Sequence, residues 1–317
     1  MINELNAFNM ATVNTPDEVA AHTTISAAGK ASILIEALPY IQKFAGKTMV
    51  IKYGGNAMIS EELKNKVMQD IALMKCIGIK LVIVHGGGPD ITAFLEKVGK
   101  PSQFVNGLRV TDAETVTIAE MVLGGKINAE IVSRLNTLGI PAIGLSGKDA
   151  NLLMAHKKLA EVHEAGGQIK HVDIGFVGEV TKVNTEIIND LLDKGYVPVI
   201  SPIGAGKGET TYNINADYVA AEVAGALQAE KLLMLTNTKG IYTSLDDPKS
   251  FLSSIFKADA VAMIEDGTIQ GGMIPKVEAV LHALECGTKR VTIIDGREPH
   301  ALLLELFTNK GIGTEII

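Results

Sequence analysis

The chain has 317 residues, 47% of them apolar, enough to bury a large core in one big domain or two lobes. Its 29 Lys and Arg against 36 Asp and Glu give a net charge of −7 without long single-sign runs, which disfavours a nucleic-acid-binding face but leaves small anionic substrates open, since a few local cations suffice for them. Residues 1–22 hold no Lys or Arg, so neither a secretory signal nor a transit peptide is read there, and no apolar run approaches the roughly 20 residues of a membrane helix; the expectation is a soluble, cytoplasmic protein.

In chain order, residues 1–30 read as an arm, polar and without a clear period. Residues 31–46 read as an N-terminal helix, with Ile33, Leu34, Ala37, Leu38, Ile41 and Phe44 on one face and Pro39 expected to kink it. Such a helix is either a cap on the core or an arm for a partner subunit. Thr48–Lys52 is a predicted strand, Glu61–Ile77 a helix, Leu81–His85 a strand, and a helix starts near Asp90. Glu114–Leu138 is helical with a local break at Gly124-Gly125, and Pro141–Leu145 returns to strand. Asp173–Val180 alternates and suits a hairpin strand. Thr185–Lys194 (helix), Val197–Ser201 (strand), Ala216–Leu227 (helix), Lys231–Thr236 (strand), Ile274–Cys286 (helix) and Arg290–Ile294 (strand) complete the pattern, with Ser244–Ser254 as a surface loop. Apolar strands between amphipathic helices imply a mostly parallel sheet covered on both faces. Cys76 and Cys286 lack CxxC spacing and read as reduced thiols packed in apolar helices.

Ligands of open α/β sheets bind at the carboxyl ends of strands. Two glycine turns stand there: Lys52-Tyr53-Gly54-Gly55-Asn56 and His85-Gly86-Gly87-Gly88-Pro89-Asp90. Glycine lets backbone N–H groups approach an anion, and two such turns after neighbouring strands point to phosphate more than one does. No GxGxxG and no GxxxxGK[ST] is present, which counts against a nicotinamide site or a P-loop. Lys52 ends a strand beside its Gly-Gly turn, and Lys276 lies in the first turn of a predicted helix, where a cation is unfavourable unless an anion is near. Each lysine taken alone is as readily a snorkelling surface residue. Arg109, after the Asn106-Gly107 turn, is either a surface arginine or a fork for a carboxylate. Asn213, Asn215 and Asp217 crowd one helix start with more polar groups than a single cap needs. His85 has no acid–base partner spaced to it and reads as structural.

Strand-Lys52-Tyr53-Gly54-Gly55, strand-His85-Gly86-Gly87-Gly88-Pro89 and Asn213-x-Asn215-Ala216-Asp217 together resemble the amino-acid kinase family. Within it, Asn106-Gly107-Leu108-Arg109-Val110-Thr111, Leu145-Ser146-Gly147-Lys148-Asp149 and Gly271-Gly272-Met273-Ile274-Pro275-Lys276 are similar to the branch that phosphorylates N-acetyl-L-glutamate. The resemblance runs from about residue 31 to the end, with the motifs in the family's order. It implies a three-layer αβα sandwich, with residues 47–227 as an acid-substrate lobe and 228–317 as a nucleotide lobe. It also implies ATP, with Mg²⁺ delivered on the nucleotide, as co-substrate, and an acyl phosphate as product in the second step of arginine biosynthesis.

By the same resemblance Lys52 and Lys276 neutralise the phosphoryl group in flight and Asp217 holds both lysines. Gly54 and Gly55 meet the ATP phosphates; Gly86 and Gly87 offer N–H groups to the substrate carboxylate and the moving phosphoryl. Arg109 clamps the α-carboxylate, Asn213 binds another polar part of the substrate, and Asn215 binds it or only orients the loop. A side-chain carboxylate with a pKa of about 4.3 is already ionised at neutral pH, so no general base is required. Ala37-Leu38-Pro39-Tyr40 and the C-terminal Leu303-Leu304-Glu305-Leu306-Phe307-Thr308 with Gly311-Ile312-Gly313-Thr314 resemble arginine-inhibited members. In these an N-terminal helix joins dimers into a hexamer, a trimer of dimers, and Tyr40, Glu305 and Gly313 would lie near the effector arginine. An N-acetyl-aminoadipate kinase differs by one methylene of substrate, worth about 1–3 kcal/mol, and stays open at this point. A catalytically silent arginine sensor has no use for the paired lysines.

Overall fold

Ser26 caps the first helix: its hydroxyl accepts the Gly29 N–H at 3.1 Å, and α1 (Ala27–Phe44) follows with Pro39 inside it. The computed structural model describes residues 25–317 except Ile59, residues 164–168 and Leu245. The expected arm therefore lies almost wholly outside the described residues, and α1 starts before the predicted boundary. Next come β1 (Thr48–Tyr53), α2 (Glu61–Cys76), β2 (Lys80–His85) and α3 (Gly88–Lys97). Ser60 caps α2 by accepting the Leu63 N–H, and Glu61 and Glu62 place negative charge at its positive end. A small hairpin, β3 (Phe104–Val105) and β4 (Leu108–Arg109), turns on Asn106 and Gly107, both at positive φ (45° and 76°), as an Asn-Gly turn favours. Then α4 (Ala113–Glu120) runs through a π-helical segment (Met121–Ile127) into α5 (Asn128–Thr137). The predicted break at Gly124-Gly125 is thus a widening of one helix.

After β5 (Ala142–Ser146), β6 (Leu153–His163) and β7 (Ile169–Val183) form a long antiparallel pair. The predicted hairpin strand is the middle of β7; β6 was not foreseen. The chain continues through α6 (Glu186–Asp193), β8 (Val197–Ser201), β9 (Ile203–Ala205), β10 (Thr211–Asn213), α7 (Ala216–Ala226) and β11 (Lys231–Thr236). Then come β12 (Ile241–Tyr242), β13 (Phe251–Leu252), β14 (Ser254–Ile255), α8 (Lys257–Glu265), α9 (Ile274–Glu285), β15 (Val291–Asp295), α10 (Ala301–Leu306) and β16 (Thr314–Ile316). The segment expected as a plain loop, Ser244–Ser254, carries β13, which pairs with β12 and sets Phe251 against Tyr242 with ring centroids 5.4 Å apart.

The main sheet has eight strands in the order β14-β16-β15-β11-β1-β2-β8-β5, and every neighbouring pair is parallel except β15–β16. Strands β10, β7, β6 and β9 close a small barrel beside it. Side chains alternate across the sheet, so each central strand must be apolar on both sides. Met49, Ile51, Tyr53, Leu81 and Ile83 join the core made with α2, α5 and α10. Val50, Val82 and Val84 join the core made with α6, α7 and α9. These are the three layers of the expected αβα sandwich. The division near residue 228 falls between α7 and β11, whose strand pairs directly with β1. Cys76 departs from its expected place: it ends α2 exposed, while Cys286 is half-buried.

Candidate active site

Strands β1 and β2 run in register, Lys52 opposite Val84 and Tyr53 opposite His85, so the two glycine turns leave the sheet side by side. The Gly86 N–H donates to the Tyr53 carbonyl at 2.8 Å and ties the turns together. That bond occupies the donor expected to face a ligand, so Gly86 here serves the turn itself. Gly87 sits at the start of α3, where helix N–H groups lack partners within the helix. It has no room for a side chain: a Cβ there would lie 2.3 Å from Ile127 Cδ1 and 2.7 Å from Leu123 Cδ2, both buried. Gly55 has φ 63° and Gly54 packs against the Lys52 ammonium, with an added Cβ only 3.1 Å from Nζ. Gly87→Ala is expected to cost about 1–3 kcal/mol from overpacking and to shift the start of α3. Urea unfolding alongside substrate titration checks both effects.

A cavity of about 300 Å³ opens over these turns, lined among others by Lys52, Gly87, Arg109, Asn213, Asn215 and Asp217. Gly55 and Gly86 also line it. Lys52 Nζ lies 2.9 Å from Asp217 Oδ1, and both side chains are mostly buried. The contact is ionic, for that oxygen makes no well-directed hydrogen bond among the described residues. Asp217 is in the first turn of α7, and Asn215 caps the helix by accepting the Asp217 N–H at 2.8 Å. Asn215 therefore does orient the loop.

Lys276 stands in the first turn of α9 but differs from expectation: its Nζ donates to Asn237 Oδ1 at 2.9 Å, not to Asp217. Burial holds its ammonium below the usual lysine range; Asp217 opposes that shift and Lys52 adds to it, so the three charges share one field. Lys276 does not line the cavity. Asn237 follows the carboxyl end of β11, and the strand-end rule that singled out the glycine turns could have singled it out too.

Arg109 is 7% exposed, and its guanidinium is held by neutral groups only. Nη2 donates to the Gly88 carbonyl and to Thr92 Oγ1, each at 2.9 Å, and Nη1 donates to Ser102 Oγ. The Phe104 ring stacks on it, 4.7 Å from the guanidinium carbon. Burial lowers its pKa, and no carboxylate among the described residues pairs with it. Thr92, Ser102 and Phe104 were not singled out in the sequence, since nothing there distinguishes them from ordinary surface residues. Asn213 Nδ2 donates weakly, at 3.5 Å, to Thr111 Oγ1, which donates in turn to the Arg109 carbonyl at 2.8 Å. His85 is fully buried between the Gly86 carbonyl (Nδ1, 3.0 Å) and Asn128 Nδ2 (Nε2, 3.1 Å); burial pushes its pKa down to about 4, so it is neutral and structural.

Of the expected effector residues, Glu305 and Gly313 are in contact with each other. Tyr40 donates to Asn309 Oδ1 and packs edge-on to Phe307, with ring centroids 6.3 Å apart. Glu305 is buried: Oε1 pairs with Lys231 Nζ at 2.8 Å, and Oε2 accepts the N–H groups of Ile312 (3.0 Å) and Gly313 (3.2 Å). A solvent-facing glutamate, the plainer expectation for an amphipathic helix, is not what the structure holds.

A three-layer sandwich whose adjacent strand ends carry glycine turns, a carboxylate-held lysine and a buried arginine with no carboxylate partner among the described residues defines an enzyme that handles small anions, of the phosphotransferase type. Residues 47–295 match the model of the amino acid kinase family. The chain is 55% identical over 285 residues to the acetylglutamate kinase of Desulfitobacterium hafniense, covering 90% of this chain and 96% of that one. It is 54% identical over 287 residues to the acetylglutamate kinase of Methanocaldococcus jannaschii, covering 90% and 96%. Among solved structures it resembles N-acetylglutamate synthase from Neisseria gonorrhoeae complexed with coenzyme A and N-acetyl-glutamate, with TM-score 0.75 and 29% identity. That match covers 90% of this chain but 63% of the synthase chain, less than two thirds of its length. The chain belongs to the amino-acid kinase family. No helix among the described residues is long and apolar enough to cross a membrane.

Proposed function

We propose that the protein transfers the γ-phosphoryl group of ATP to the side-chain carboxylate of N-acetyl-L-glutamate, the second step of arginine biosynthesis, in the cytoplasm. The observation that carries this reading is Arg109, a buried cation at the cavity wall with only neutral partners among the described residues. A buried charge without a counter-ion is costly, and a substrate α-carboxylate would supply one, accepting from guanidinium hydrogens not yet donated. The relatives' shared name points the same way.

In this reading Arg109 and Asn213 seat the acid, and the Gly87 N–H at the start of α3 faces its reacting end. Gly54 and Gly55 admit the nucleotide phosphates against the backbone. Lys52, held by Asp217, and Lys276, held by Asn237, offset the charge that gathers on the transferred group. Asp217 is the carboxylate at the cavity and is already committed to Lys52, so these donors do not form a protein cage for Mg²⁺. Mg²⁺ would arrive with the nucleotide and supply charge neutralisation of its phosphates. Residues 47–227 would hold the acid and residues 228–317 the nucleotide.

The test is hydroxylamine trapping of the acyl phosphate with ATP and Mg²⁺, offering N-acetyl-L-glutamate, N-acetyl-aminoadipate, glutamate or aspartate. Hydroxamate from N-acetyl-L-glutamate far above the others is the expected result. A preference for N-acetyl-aminoadipate would reassign the substrate, and no hydroxamate from any acid would leave the silent-sensor reading.

Regulation by arginine and a hexameric assembly, a trimer of dimers, complete the proposal. Leu34 and Ile35 on α1 are each 69% exposed, an apolar face suited to a partner helix. Tyr40 lies where α1 meets the C-terminal segment, at Asn309 and Phe307. Glu305 already binds Lys231, so an arginine effector would have to displace that lysine or use other groups nearby. Deleting residues 1–44 should yield a smaller oligomer in sedimentation with little response to arginine. An unchanged hexamer would count against this assembly.

A further inference from the structure

The C-terminal halves of α7 and α9 carry a cluster that phosphoryl transfer does not use. Glu222 on α7 and His282 on α9 meet with Oε1 and Nε2 2.6 Å apart. Cys286, the residue that caps α9, brings its Sγ to 3.5 Å from that same Nε2. His282 and Cys286 stand four residues apart, so they share one face of the helix. The ligand-capable O, N and S atoms all lie within 4.8 Å of one another, and all three residues are half-buried. The helices are pressed together here, since a Cβ on Gly225 would lie 2.2 Å from Cys286 Cβ. A cavity of about 370 Å³ opens directly onto Glu222 and His282, with Glu278 one turn earlier on α9 also facing it.

A Glu–His hydrogen bond accounts for two of these groups. It does not account for the thiol aimed at the same nitrogen, which carries at most one hydrogen and cannot donate fully to both neighbours. A cation among the three atoms would engage all of them. We propose that Glu222, His282 and Cys286 form a binding site for one divalent transition-metal ion of the Zn²⁺ class. A carboxylate, an imidazole and a thiolate suit Zn²⁺ and its first-row neighbours and are poor ligands for Mg²⁺ or Ca²⁺. Three protein ligands in a tetrahedral site leave a fourth position, and the cavity lies on that open side. On binding, Glu222 O, His282 Nε2 and Cys286 Sγ each bond the metal. The Glu222–His282 hydrogen bond is given up, the thiol proton passes to solvent, and no electron moves. The ion ties α7 to α9 behind their first turns. Glu222 is about 7.5 Å of helix axis from Asp217, and His282 about 9 Å from Lys276.

The probe is Co²⁺ added to the metal-stripped full chain, followed by absorption. The expected result is saturation at one equivalent, with the visible bands of a tetrahedral ion and a near-ultraviolet thiolate-to-cobalt band, all displaced by Zn²⁺. Cys286→Ser removes the thiolate band, His282→Gln weakens binding at least ~10-fold, and Cys76→Ser changes neither. Zn²⁺ should raise the Tm of the wild type and of Cys76→Ser but not of His282→Gln. Absence of a stoichiometric cobalt spectrum, or loss of the thiolate band with Cys76→Ser instead, overturns the site. Should Cys286→Ser fail to fold, the His282→Gln titration decides. None of these readouts depends on the reaction catalysed.

Discussion

Lys52→Met is expected to lower kcat by about 10²–10³-fold, or roughly 3–4 kcal/mol of transition-state stabilisation, with a smaller change in the KM for the acid. The reason lies in the positions of the charges. Lys52 ends β1 against the glycine turn and is fixed there by Asp217 at 2.9 Å before any ligand arrives. Its charge therefore needs no reorganisation when negative charge gathers on the transferred group. Methionine keeps the length and the packing of the stem but removes the ammonium. The same change leaves Asp217 without its partner, at a cost below the ~3–5 kcal/mol of breaking a fully buried pair, because both side chains keep some solvent contact. Lys52→Arg should not restore the rate, since the longer, planar guanidinium carries its charge past the point where Asp217 holds the ammonium. Single-turnover kinetics on folded variants checks this. A kcat within about tenfold of wild type for Lys52→Met would remove Lys52 from the transition state and leave it a structural ion pair.

The main sheet was legible because burial on both faces forces central strands such as β1, β2 and β11 to be continuously apolar, and because glycine and capping residues punctuate them. What was illegible has a common cause. The barrel strand β6 runs charged and apolar residues together without a clean period, and only the middle of β7 alternates. The short strands β9, β10 and β12–β14 are fixed by tertiary pairing rather than by their own pattern. At the site, Lys52, Arg109 and Asp217 drew notice from their places at a strand end, after a tight turn and at a polar-rich helix start, but each also had an ordinary reading, and it was the family resemblance of their motifs that gave them roles. Their partners drew no notice. Thr92, Ser102 and Asn237 make ordinary hydrogen bonds, and only the folded chain shows which charge each one holds. The family resemblance also placed both lysines on Asp217, where the structure gives Lys276 its own amide partner and leaves the two cations to share the carboxylate's field.

Arg109→Lys should raise the KM for N-acetyl-L-glutamate by about 10–150-fold, the equivalent of one charge-assisted hydrogen bond at about 1.5–3 kcal/mol, with kcat changed far less. A lysine keeps the charge, so the substitution separates charge from shape. The guanidinium is held in one plane by Gly88, Thr92 and Ser102 while Phe104 covers its face, and a single ammonium cannot satisfy those three acceptors and a carboxylate at once. The wild type carries a buried cation without a counter-ion among the described residues, so a bound carboxylate should stabilise it strongly, by about 2.7 kcal/mol at a hundred times Kd. At one fixed acid concentration the ligand-induced rise in Tm should nearly vanish in Arg109→Lys. The unliganded Tm is expected to fall modestly, because the carbonyl of Gly88 and the two hydroxyls lose good donors. A contrary result, with an unchanged ligand-induced shift and a large loss of unliganded stability, would make Arg109 a structural post. The acid would then have to be seated by the helix start at Gly87 and by Asn213 instead.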